Sequence, residues 1–162
     1  MKASKMMLKM AGVLGVLFLV AGCSKTNYIA GTRIPATQAN REIIEVMENY
    51  RRAMIAIDAD AMVKLAHPEY RQPKTTADEN SYDYKGLVKA IRMRFAQTKS
   101  VRLDIQYRKI HWESPERVSV EVYLDGSYQV IVGEENRWEK KTDYMKLILE
   151  KHKDAWLFIE GL

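Results

Sequence analysis

Cysteine is almost missing from this sequence: Cys23 stands alone in 162 residues. One thiol cannot close an intramolecular disulfide, and it cannot supply the paired cysteines of a structural zinc site. Histidine is nearly as scarce. His67, His111 and His152 are far apart and show no ligand spacing, so no metal is expected. His67, beside Pro68, reads as a loop residue, and His111, beside Trp112, as a surface residue at a strand end. There is no glycine-rich dinucleotide loop, no Walker loop and no Ser/His/Asp elbow, and no cofactor is implied. No apolar run reaches the ~20 residues of a membrane-spanning helix. An excess of one charge is lacking too. The formal charge is +5, but Lys2, Lys5 and Lys9 sit in a leader, so 23 of the 26 basic side chains face 21 acidic ones. That balance gives no electrostatic footprint for nucleic acid.

What is present begins at the N-terminus. Lys2, Lys5 and Lys9 precede an apolar run from Met10 to Ala21, and small residues follow. A basic region, a short apolar region and small residues at the exit make a secretory signal peptide over residues 1–22. Val20-Ala21-Gly22-Cys23 resembles the lipobox of bacterial lipoprotein precursors. The resemblance implies a diacylglycerol on the Cys23 thiol, cleavage before Cys23 and acylation of the new amine. Several acyl chains hold firmly where one binds marginally. Ser24, rather than Asp, then implies the outer membrane, inner leaflet, with the domain facing the periplasm. Residues 23–39 read as the lipidated cysteine and a flexible, polar tether with Gly31 and Pro35. The remainder, 40–162, is long enough for one domain with a real core.

Within that domain the apolar period changes once. Asn40 is the expected cap of a first helix carrying Ile43, Met47, Tyr50, Met54 and Ile57 at three- and four-residue steps. Asp58 is expected to cap a second helix, Ala59 to Ala66, which Pro68 stops. A polar loop, 67–83, leads to Asp83, the expected cap of a third helix from Tyr84 to about Thr98. Lys85, Lys89, Arg92, Arg94, Lys99 and Arg102 form a basic stripe that reads first as a solvated face, and otherwise as a contact for anionic lipid or an acidic partner. From Val101 the period is two. Val101, Leu103, Ile105 and Tyr107 alternate with polar residues, as do Val118, Val120, Val122 and Leu124, and Asp125-Gly126 is expected to form a bulge or bend. Turns at Ser114-Pro115, 133–136 and Lys153-Asp154 divide off a strand from Arg137 to Lys151 and a last strand from Ala155 to Glu160. Three helices followed by an antiparallel meander of four or more strands define an α+β fold.

Tyr50, the eight-residue step to Asp58, then Ala61-Met62 and Leu65, a third helix, long strands and the ending Trp156-Leu157-Phe158-Ile159 resemble the nuclear transport factor 2-like superfamily. That superfamily, which includes SnoaL-like and ketosteroid isomerase-like members, implies a strongly curved, cone-shaped (cystatin-like) sheet around the first helix, with a pocket inside. It hosts enzymes and binding proteins alike, so the fold does not fix the activity. Resemblance to ketosteroid isomerase places Tyr50 and Asp143 as oxyanion-binding groups, with Tyr107 as a further ligand-binding residue. Asp143 shares its strand face with Met145, Leu147 and Leu149, and such apolar company favours a protonated carboxyl. The base does not fit: its place falls near Lys74, with no carboxylate until Asp78. Half of that set cannot move the proton, so catalytic residues are not assigned. The expected partners are the membrane through Cys23, an envelope protein or a second copy of the chain, and a small apolar ligand. An isomerase- or dehydratase-like enzyme acting on a small hydrophobic molecule is the alternative.

Overall fold

A computed structural model describes residues 26–74 and 81–162. The expected signal peptide, Cys23 and Asp78 lie outside the described residues. Three helices, α1 (Gln38–Ala56), α2 (Ala59–Lys64) and α3 (Tyr84–Ala96), precede a four-stranded antiparallel meander. Its strands are β3 (Thr98–Ser114), β4 (Arg117–Val132), β5 (Glu135–His152) and β6 (Ala155–Glu160), in that spatial order. Two short strands, β1 (Arg71–Gln72) and β2 (Tyr82–Asp83), pair with each other between α2 and α3. The α+β arrangement is the one the change of period predicts. Among the described residues no helix is long and apolar enough to cross a membrane.

The cap of α1 is Thr37, not Asn40. The Thr37 hydroxyl accepts from the Asn40 N–H at 3.1 Å, satisfying one of the donors a helix start leaves unpaired. The Asn40 side chain is drawn inward instead. Its Nδ2 donates to the Pro35 carbonyl at 2.8 Å, and its Oδ1 accepts from Trp112 Nε1 at 2.8 Å. The stretch expected to be a free tether folds from Asn27 onward. Ile29 N–H donates to the Ile34 carbonyl, Ala36 N–H donates to the Asn27 carbonyl, and Ile34 is buried.

Asp58 and Asp83 cap α2 and α3 as expected, accepting from the Ala61 and Gly86 N–H groups at 2.9 and 3.0 Å. α2 stops at Lys64 because the next residues join the sheet. Phe158 N–H donates to the Leu65 carbonyl, and His67 N–H donates to the Phe158 carbonyl, each at 2.8 Å. This strap ties the α2 end to β6.

The sheet corrects one strand expectation. β4 and β5 pair without a register shift from Arg117–Glu150 to Val132–Glu135, so Asp125-Gly126 makes no bulge. Gly126 instead leaves room for Tyr128: a Cβ there would lie 2.6 Å from the Tyr128 hydroxyl. The shifts of the β3–β4 ladder lie near the two ends of β3, between Thr98 and Ser100 and between Trp112 and Ser114, and in its middle, between Tyr107 and Lys109. The extra residue of the middle shift, Arg108, reverses the alternation. Val101, Leu103, Ile105 and Tyr107 face the core, and after the shift Ile110 and Trp112 do. α1 lies against β3 and β6, and α3 against α2 and β3. Ile43 and Met47 of α1, Leu87 of α3, Val118, Val120 and Val122 of β4, Leu147 and Leu149 of β5, and Phe158 of β6 form the dry centre.

Candidate functional site

Tyr50 projects from the inner face of α1 and is 7% exposed. Its ring packs on Phe158, with centroids 5.8 Å apart and planes tilted by 56°. Burial, with the nearby Tyr128 phenol adding to it, pushes its own phenol above the ordinary range. Tyr107 is half buried on β3. Its hydroxyl donates to the Glu48 carboxylate on α1, which also accepts from Arg51 Nε at 2.8 Å. Burial and the Glu48 charge raise the Tyr107 phenol. Partial burial works against a charged Glu48, but the hydrogen bonds from Tyr107 and Arg51 outweigh it, and its carboxyl falls below the usual range. Tyr107 is therefore engaged in joining β3 to α1.

Asp143 sits opposite Leu124, on the same face of β5 as Met145 and Leu147. That face is dry only from Leu147 onward. The Asp143 side chain keeps 47% of its surface, and its Oδ2 lies 3.9 Å from Lys141 Nζ. The apolar company expected for it is not what surrounds it. Tyr50 contacts Phe158 and Asp143 contacts Lys141; among the described residues no hydrogen bond joins the two. Lys74, at the expected position of a base, is exposed. Two clefts, of about 820 and 380 Å³, flank the β1–β2 pair. Neither is lined by Tyr50, Tyr107 or Asp143.

The structure also brings together residues that the sequence separates. His67 is a loop residue, as expected, but a buried one. Its Nδ1 accepts from the Glu69 N–H at 3.0 Å, and its ring meets His152 edge to face at 5.0 Å. Only the strap to β6 and the β5–β6 register set this contact, so no spacing in the sequence signals it. Among the described residues no group of three or more His, Cys, Asp or Glu side chains is placed to hold a metal.

The outer face of the sheet, away from the helices, carries exposed aromatics. Tyr123 and Tyr144 face each other across β4 and β5 with ring centroids 4.8 Å apart, and Tyr144 is 73% exposed. Trp138 is 46% exposed, and the Arg102 guanidinium lies 5.0 Å from its ring, a cation–π distance. Around them are mixed ion pairs: Lys140 with Asp125 at 3.4 Å, and Arg117 with Glu113 and Glu150 at 3.0 and 2.6 Å. Arg102 of the basic stripe is thus spent on Trp138, and Arg92 on Asp60 at 3.2 Å.

With this geometry in place, the chain was compared with known proteins. No family model and no curated protein sequence matches it. Solved structures do. A ketosteroid isomerase-like protein from Erwinia carotovora atroseptica aligns with a TM-score of 0.65 at 10% identity, over 77% of this chain and 94% of that one. An NTF2-like protein of unknown function in nutrient uptake from Rhodospirillum rubrum aligns with a TM-score of 0.60 at 18% identity, over 74% and 93%. An NTF2-like protein of unknown function from Shewanella oneidensis gives a TM-score of 0.57 at 13% identity, over 76% and 96%. The fold is that of the nuclear transport factor 2-like proteins. At these identities the likeness speaks for architecture alone.

Proposed function

We propose that this chain is a lipoprotein of the bacterial envelope, held at the inner leaflet of the outer membrane by lipid on Cys23, with its domain in the periplasm. The domain works by binding, without turnover, and offers the outer face of its sheet to an envelope protein. One observation carries this reading: the inner face is used by the chain's own core around Tyr50, while Tyr123, Trp138 and Tyr144 stand on the opposite face, where Trp138 and Tyr144 are exposed. Aromatic anchors inside a polar, charged rim are the usual make-up of a non-obligate interface. Turnover on an apolar substrate would need Tyr50 and Asp143 to meet one ligand, whereas the Tyr50 ring packs on Phe158 in the core and Asp143 lies half-exposed beside Lys141. The lipid part rests on Val20-Ala21-Gly22-Cys23.

Cells grown with an alkyne-labelled palmitate test the anchor. The wild-type protein should carry label and fractionate with the outer membrane, and Cys23→Ser should lose both. Equal labelling of the two would remove the anchor from the account.

A further inference from the structure

We infer that the free edge of β5 pairs antiparallel with the same edge of a second copy of this chain, with Trp138 facing its own counterpart. β5 runs from Glu135 to His152, but β6 pairs with it only from Ile148 to His152. Gly161 crosses next to Lys146 and Leu147. From Glu135 to Met145 the side of β5 away from β4 has no strand neighbour among the described residues. Residues 135–142 are exposed on both faces. Every second residue of this stretch therefore directs its backbone N–H and C=O to water.

Such an edge is normally blunted by proline, by a bulge or by charged side chains, lysine above all, and this one carries Glu135, Arg137, Glu139, Lys140, Lys141 and Asp143. This edge has no proline, and its ladder to β4 is regular throughout. Its charges alternate in sign along one face: Glu135, Arg137, Glu139, Lys141, Asp143. A row that alternates is complementary to its own reverse, which is what a two-fold axis through an antiparallel pair requires. An axis perpendicular to the sheet keeps inner side chains opposite inner ones, so the register must centre on a residue.

Centred on Trp138, Glu135 faces Lys141 of the second copy and Arg137 faces its Glu139, each pair occurring twice. On the other face Trp138 meets Trp138 and Asn136 meets Lys140. Centred on Glu139, like charges face each other throughout: Glu135 with Asp143, Arg137 with Lys141, Glu139 with itself. Centred on Lys140, the charged face matches again, but Lys140 meets Lys140. Like charges directly opposite destabilise a pair, and aromatic residues directly opposite stabilise it, so the Trp138 register is selected. The helices pack on β3 and β6 rather than on this part of β5, which leaves the edge open to a second copy.

Disulfide trapping of the full-length chain in cells tests this, with the wild-type chain, whose only cysteine is Cys23, as the blank. Under mild oxidation Trp138→Cys should give a linked homodimer at least ten times more abundant than Tyr144→Cys, which lies outside the paired stretch. Adding Glu139→Arg to Trp138→Cys sets Arg137 against an arginine and should lower the yield at least ten-fold. Adding Arg137→Glu as well restores the opposite charges and should restore the yield, which a misfolded protein would not do. The inference is overturned if Trp138→Cys does not link, if Tyr144→Cys links as well or better, if the linked species contains a different protein, or if the charge reversal has no effect.

Discussion

Replacing Asn40 by alanine should destabilise the domain by about 2–3 kcal/mol, because two partly buried groups lose their partner at once. Asn40 is 7% exposed, and its amide bonds the Pro35 carbonyl on one side and the Trp112 indole on the other, each at 2.8 Å. A buried polar group left unpaired costs ~1–3 kcal/mol. Both orphaned groups are only partly buried, so water recovers some of that, which brings the pair to about the lower half of the summed range. Trp112→Phe removes the indole donor and loosens the edge-to-face contact with Trp156, whose ring centroid lies 5.4 Å away. The double substitution should cost less than the sum of the two singles, by about 1 kcal/mol, the value of one hydrogen bond. Urea unfolding followed by far-ultraviolet circular dichroism reads this directly. With slopes of ~1–3 kcal/mol/M for small proteins, the midpoint of Asn40→Ala should fall by about 0.7–3 M. Additive single effects would refute the reasoning. They would mean that Trp112 does not reach Asn40, and hence that the register shift at Arg108 does not turn Trp112 inward.

Three further outcomes are expected. Tyr50→Phe should leave stability within ~0.5 kcal/mol, since no protein group bonds the Tyr50 hydroxyl among the described residues, and native mass spectrometry of either protein should show no retained small molecule; a loss above ~1 kcal/mol, or a ligand whose retention depends on the hydroxyl, contradicts the closed interior. Lys153→Gly should raise stability by ~0.5–1 kcal/mol, because Lys153 holds a left-handed φ of 56° in the exposed β5–β6 turn; an unchanged or lower urea midpoint contradicts it. Stability should fall as the pH rises past about 10, where unfolded tyrosines ionise. Burial holds the Tyr50, Tyr70, Tyr107 and Tyr128 phenols protonated above that point in the folded state, so the unfolded chain releases protons first and gains. The lowered Glu48 works at the other end: its contribution is present above the usual carboxyl range and is lost as the pH falls through its folded value. Thermal midpoints across pH 2–12 check both signs, and a midpoint that rises above about pH 10 refutes the first.

The helices and strands were legible because burial on one side imposes a period. Ile43, Met47 and Tyr50 mark α1, and Val118, Val120 and Val122 mark β4. The start of α1 was not, because Thr37 and Asn40 both suit a cap and only Trp112, 72 residues away, decides between them. The β3 shift does leave a trace: apolar positions move from odd numbers up to Tyr107 to even numbers at Ile110 and Trp112. Gly126 looked like a bend because a glycine in a strand marks either a bulge or a close approach, and the approaching group, Tyr128, is two residues on. The surroundings of Asp143 were hidden for another reason. Alternation says which face a side chain takes, but not where along the strand the covering helices end.

The outer sheet face is the centre of the functional account, and a photoreactive amino acid at Tyr144 probes it in living cells. Met93, 54% exposed on α3, is the control on the helical side. The account predicts a discrete adduct with one envelope protein from the Tyr144 position and none from Met93. An adduct from Met93 alone, or none from Tyr144, would contradict it.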